Sequence, residues 1–344
     1  MWEVNLELLH HQGKALRRCG RLHEALTCFQ KLLEIRPEWH ATCLQIAHMG
    51  TQKEADDPIK MAGAHAMQTL VDRVIEAPWD LPLRVSLASV ARLRSYRKVA
   101  NETVSNTEQV RALADVIALS ALEGLDQFYE AYLSFTSIFA YQHPEICVAL
   151  AEGLPEILAT PPELVDKGQW SSACESLGNT AAAAGSAGKT DLRDRITAAG
   201  VAFATALGSK PGIRSFDARA VAKMLLFARM PAEALDVIMK IPSEALNRDH
   251  WLLYRKAEAE LGVHKLEDGL STAERALALA RDDKKGLERI ASYYELLSKC
   301  HEALGATDAA IAQTEAALES CQAGKYRNAL SGRLEELKRR ASTH

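Results

Sequence analysis

Few residues in this 344-residue chain have types and spacing that could support chemistry. Residues 183–190, AAGSAGKT, follow the spacing of a phosphate-binding loop, with Ala183 where that pattern has its first glycine. Such a loop follows a buried strand and points backbone N–H groups at a phosphate from the start of a helix. The preceding residues here, SACESLGNTAAA, are a helix-forming string, and no apolar strand ending in Asp for magnesium stands nearby. The expectation is an interhelical loop without nucleotide, Thr190 or Asp191 capping the next helix. Cys19, His23 and Cys28 could be assembled into a metal site, but paired-ligand spacings are absent. Cysteine also behaves as a small buried hydrophobe, so a core role is expected for this group. His10 and His11 are expected as a surface pair, because adjacent residues on a helix face apart. There is no GxSxG, HExxH or nucleophile-plus-base arrangement. No catalytic residue, metal or cofactor is therefore expected. What remains is a cationic cluster: Lys14, Arg17 and Arg18 lie at three- and four-residue spacing, so on a helix their fields add.

Composition bounds the fold that would carry that cluster. Ala, Leu, Glu and Arg dominate, aromatic residues are 6%, and no Val/Ile/Thr-rich alternating run stands out, which reads as all-α. The net charge of −4 argues against a dedicated nucleic-acid binder. Charge is uneven along the chain: residues 101–200 hold 5 Lys+Arg against 14 Asp+Glu, which marks a polarised surface. Seven cysteines without a CxxC pair suit a reducing compartment. Nothing after Met1 has the form of a signal peptide, and the longest apolar runs, such as 116–121, fall well short of the ~20 residues of a membrane span. A cytoplasmic protein with no membrane insertion is expected.

The elements come from residues 13–37, GKALRRCGRLHEALTCFQKLLEIRP. Gly13, Leu16, Gly20, Ala25, Phe29, Leu32 and Pro37 stand in an order that resembles the tetratricopeptide repeat, two antiparallel helices that must stack to bury their apolar faces. Gly13 and Ala25 would sit at the close approach of the helices, Gly20 in the turn, and Pro37 would stop the second helix. A weaker repeat follows, with Ala66, Leu70 and Pro78 in place. Its Ala66 lies 41 residues beyond Ala25, and the extra residues are assigned to a long loop, GTQKEADDPIK. Trp39 and Trp79 each follow a repeat-ending proline, where an aromatic ring can wedge between hairpins. Helices are expected near 83–99, 106–122, 124–141, 145–158, 162–183 and 191–208. Ala222, Leu225, Ala234 and Ile238 then restore the register in a truncated repeat. WLLYRKAEAELG with LEDGLSTAERALALA resembles another, with two extra turn residues and Gly269 where alanine is usual. Tyr294, Leu297, Ser298, Gly305, Ala310 and Ala317 repeat the small-and-large order of the first, and KYRNALSGRLEELKRR reads as an amphipathic cap. The expected architecture is an all-α solenoid of antiparallel helical hairpins. Repeats occupy 1–80 and 213–344, with a divergent hairpin region at 81–212.

The resemblance implies a function as well. In such arrays the first helix of each hairpin lines a groove that holds a partner peptide, and in the first repeat this face would present Glu7, His10, Lys14, Arg17 and Arg18. Arginine suits bidentate binding of carboxylates, so an acidic protein or peptide partner is expected, and no nucleic acid. Arrays that grip chaperone C-termini use a lysine and an asparagine on the first helix. Here His10 and Lys14 stand at those positions, with Leu44 and His48 in the next repeat, which argues against that subclass. The expected function is a non-catalytic scaffold or adaptor. The alternative is a helical accessory domain of an enzyme, such as a glycosyl- or sulfotransferase, with the catalytic part outside this chain.

Overall fold

The computed structural model describes residues 5–77, 80, 83, 107–122, 132–133, 135–136, 139–140, 142–153, 170–321 and 324–342. Among these residues every regular element is a helix, and the fold is an all-α solenoid. The helices expected near 83–99 and 124–141 fall mostly outside the described residues, as do Pro78 and Trp79.

Two compact units divide the chain, residues 1–172 with 179–199, and residues 173–178 with 200–344. The first begins with α1 (Leu6–Arg18) and α2 (Leu22–Ile35), then α3 (His40–Gly50) and α4 (Asp57–Glu76). Asn5 starts α1 by accepting the Leu8 N–H at 3.0 Å, satisfying one of the orphan donors of a helix start. Leu22, Ala25, Leu26, Phe29 and Leu32 recur on one face of α2 and are all buried against its neighbours. An ideal Cβ placed on Gly13 would lie 2.6 Å from the Phe29 ring, which is why the first helix needs glycine there. Trp39 stacks on His10 with ring centroids 5.2 Å apart, tying the first hairpin to the start of the second. The stretch 50–60 is not one long loop. Only residues 51–56 connect α3 to α4, because Asp56 caps α4 through the Ile59 N–H and Pro58 fits its first turn; a 20-residue α4 absorbs the extra length. Further along lie α5 (Thr107–Leu122) and α6 (Pro144–Glu152). Then come α7 (Trp170–Ser186) and α8 (Thr190–Gly208), which contribute residues to both units.

The second unit runs through α9 (Ser215–Phe227), α10 (Pro231–Ile238), the single turn α11 (Ser243–Leu246), α12 (His250–Gly262) and α13 (Leu266–Arg281). It ends with the single turn α14 (Lys284–Leu287), α15 (Ile290–Ala303), α16 (Thr307–Glu319) and α17 (Lys325–Ala341). The hairpins α9/α10, α12/α13 and α15/α16 stack so that α9 packs on α12 and α12 on α15, and α17 lies on α16. Leu330 and Leu337 are buried on α17, and its charges bridge to the helices beside it, Arg333 and Arg340 to Glu302 of α15 and Lys338 to Glu315 of α16. Ser298 and Thr314 hydroxyls meet at 2.8 Å where α15 crosses α16, the counterpart of the Gly13–Phe29 contact.

One turn geometry closes five hairpins. Gly20, Gly188, Arg229, His264 and Gly305 all have φ between 61° and 76°. In each case the next N–H bonds to the carbonyl five residues back: Arg21 to Leu16, Lys189 to Ala184, Met230 to Leu225, Lys265 to Glu260 and Ala306 to His301, at 2.8–3.0 Å. This is the Schellman closure, which satisfies carbonyls left free at a helix end. The hairpin at 250–281 therefore has no extra turn residues. Gly262 belongs to α12, where Pro231 leaves no room for a Cβ (2.6 Å), and His264 takes the left-handed position instead.

Ala25, Ser298 and Ala310 are fully buried, and Gly13 is buried with them. Replacing Ala25 by leucine is expected to overpack the first hairpin and cost ~1–3 kcal/mol, read as a lower denaturation midpoint. An unchanged midpoint would mean that this contact is not tight.

Candidate functional site

The candidate face is the outer side of α1, and the structure separates the five residues expected there. Glu7 and Arg18 are exposed, Lys14 and Arg17 are half-buried, and His10 is buried. His10 and Gly13 lie on the side of α1 that meets α2 and α3, since residues three apart share a helix face. The His10 ring packs against Phe29 and Trp39, and its Nδ1 is hydrogen-bonded to Thr42 Oγ1 at 3.2 Å. Burial, followed by Lys14 and His11, holds its pKa below the usual histidine range, so the ring is neutral. His10 is thus a packing residue. The expected surface pair is divided: His11 alone is exposed, because only His10 falls on the face covered by the next helix.

Lys14, Arg17 and Arg18 remain together at the C-terminal end of α1. None of the three has an ion pair among the described residues, whereas Arg21 just beyond is paired with Glu24. The Arg17 Nε is buried without a hydrogen-bond partner. Burial and then the neighbouring Arg18 charge push the Arg17 pKa down. A cavity of about 330 Å³ between α2 and α4, lined by Leu26, Leu33, Ile46, Ala66 and Arg73, includes none of the five.

The other sequence candidates resolve without chemistry. Residues 183–186 are the last turn of helix α7, so no strand precedes the AAGSAGKT loop. The amides of Ala187, Gly188 and Lys189 are already bonded to Ala183, Gly185 and Ala184 carbonyls, and the Lys189 ammonium pairs with Glu152 at 2.5 Å. A phosphate would find those donors occupied. Cys19 and His23 are exposed and Cys28 is half-buried, so the core role expected for this group is not what the structure shows. Cys19 follows the last residue of α1, outside the packed face, and His23 bonds Asp56 at 2.7 Å. Among the described residues no three His, Cys, Asp or Glu side chains are grouped to hold a metal ion. The buried thiols are elsewhere, and desolvation pushes those of Cys147 and Cys174 up to about 12, out of reactive range. No helix among the described residues is long and apolar enough to cross a membrane.

Sequence reasoning missed one constellation, Arg219, Trp251 and Arg289 of the second unit, which meet although they lie 32 and 38 residues apart. The only signal was their placement near the N-terminal ends of successive first helices, Arg219 in the second turn of α9, Trp251 in the first turn of α12 and Arg289 just before α15.

A search of curated protein sequences returns no match. Among solved structures, the chain is similar to the APC/C hetero-tetramer Cut9–Hcn1, with 10% identity and a TM-score of 0.36 over 98% of this chain and 70% of that one. It is also similar to the TPR domain of P58(IPK), with 14% identity and a TM-score of 0.25 over 88% of this chain and 89% of that one. Residues 6–39 match the family model described as the tetratricopeptide repeat, the stretch that forms α1, α2 and the turn between them. The first hairpin of this chain is a tetratricopeptide repeat.

Proposed function

We propose that this protein is a non-catalytic scaffold that binds an acidic segment of a protein partner along α1. The carrying observation is the trio Lys14, Arg17 and Arg18, three cations on one helix end without an ion pair among the described residues, with the Arg17 Nε buried and unbonded. Carboxylates supplied by a partner would complete them, and Arg17 and Arg18 can each engage one bidentately. Glu7, about two to three turns away on the same helix, would orient the partner by repelling acidic residues at that end. The free thiols support a reducing compartment such as the cytoplasm.

The test compares wild type with Arg17→Glu/Arg18→Glu in cross-linked complexes from host extract, at low and at high salt. Partners bound through α1 are expected to be lost from the double variant, and from wild type as salt screens the charges beyond ~10 Å at 0.1 M. Helical circular dichroism should be unchanged, since Arg18 is exposed and Arg17 has no partner to lose. Recovery of the same partners by both proteins would place the interface elsewhere.

A further inference from the structure

In the second unit, two guanidinium groups converge on one indole. The Arg219 Cζ lies 5.1 Å from the Phe216 ring centroid and 6.0 Å from that of Trp251; the Arg289 Cζ lies 5.5 Å from the Trp251 ring. Neighbouring arginines have carboxylate partners, Arg214 with Asp217 and Arg255 with Glu258. Arg219 and Arg289 have no ion pair among the described residues. The indole beneath them is held in place by His250 at 4.8 Å and Tyr293 at 6.1 Å. Those two are themselves fixed, the Tyr293 hydroxyl 2.6 Å from His250 Nδ1 and Asp283 3.3 Å from His250 Nε2. Apolar surface flanks the cations: Phe216 is 40% exposed, and Leu287, just before Arg289, is 52% exposed.

We infer that this face binds an acidic peptide segment that carries an aromatic or apolar side chain beside its carboxylates. The carboxylates engage Arg219 and Arg289, which are already aligned by the rings beneath them and so lose little freedom on binding. The apolar side chain covers Phe216 and Trp251, excluding water from the charge-assisted hydrogen bonds. A peptide is favoured over nucleic acid by the carboxylates nearby. Asp249 and Asp283 cap helices at the same end of this stack. A phosphate backbone, charged at every step, would meet them, whereas a peptide can place its charges only opposite the arginines.

The inference rests on residues of the second unit and is independent of α1. Its test uses the full chain and three labelled peptides, alternating Glu/Phe, Glu/Ser and Lys/Phe, with fluorescence anisotropy as the readout. Glu/Phe is expected to bind saturably, Glu/Ser more weakly for want of ring contact, and Lys/Phe not at all. Arg219→Glu/Arg289→Glu should weaken Glu/Phe by ~10-fold or more and gain affinity for Lys/Phe. Arg219→Gln/Arg289→Gln, which keeps the side-chain stems over the rings, should lose Glu/Phe without gaining Lys/Phe. In an Arg17→Glu/Arg18→Glu background, where α1 no longer attracts an acidic peptide, the second-unit substitutions should cause the same loss of Glu/Phe binding, which separates the two sites. The inference is overturned if wild type shows no saturable Glu/Phe binding, if both second-unit variants bind that peptide as wild type does, or if an oligothymidylate displaces it at lower concentration than unlabelled peptide.

Discussion

Phe29→Ala is expected to detach the first hairpin from the stack. The ring is fully buried on α2, fills the space that Gly13 leaves open on α1, and touches the His10 ring at a centroid distance of 5.8 Å. Truncating a buried phenylalanine costs about 3–5 kcal/mol, the transfer term plus the cavity left behind. Repeat arrays are held by hairpin stability and nearest-neighbour contacts, so the loss should be local at first. Amides of residues 6–35 should lose hydrogen-exchange protection, while those of 250–319 keep theirs. Wild-type protection across 6–35 in the variant would show that Phe29 does not anchor α1 to α2.

The second large effect separates two glycines that share a helical setting. An ideal Cβ on Gly63 would stand 2.6 Å from the Gly50 Cα and 3.1 Å from its nitrogen, both backbone atoms that cannot rotate away. Gly63→Ala should therefore force α3 and α4 apart and loosen the packing of Ile46, Met49, Ile59 and Met67, all buried, at a cost of ~1–3 kcal/mol. Gly332, exposed on α17, has nothing within 4 Å of its Cβ position. There the same replacement should stabilise by about 0.5–1 kcal/mol, because glycine gives up more chain entropy in a helix than alanine does. Denaturation midpoints should move in opposite directions. A gain at both positions would refute the close approach of α3 and α4.

The repeat at 6–39 was legible because its determinants are local. Apolar residues at helical spacing choose the buried face of α2, and a small residue opposite a large one, Gly13 against Phe29, needs only two helices a turn apart. Most of the candidate site was less legible. His10, Lys14 and Arg17 fall within one helical stripe, and sequence spacing treats them alike. Only the arrival of α3, with Trp39 at its start and Thr42 on it, completes the burial of the first and leaves the other two half-buried.

The sequence by itself determined the all-α class, the first and last hairpins and the absence of a phosphate-loop context, since these follow from periodicity and from what a helix-forming string excludes. Tertiary structure alone decided the left-handed turn where no glycine marks it. Arg229 and His264 adopt it although such residues disfavour it by about 1–2 kcal/mol, because the helix they end must turn there to pack. It also decided the Gly50–Gly63 contact and the meeting of Arg219 and Arg289 over Trp251. Those pairings depend on how hairpins stack, a register set by the summed fit of many side chains and written at no single position of the chain.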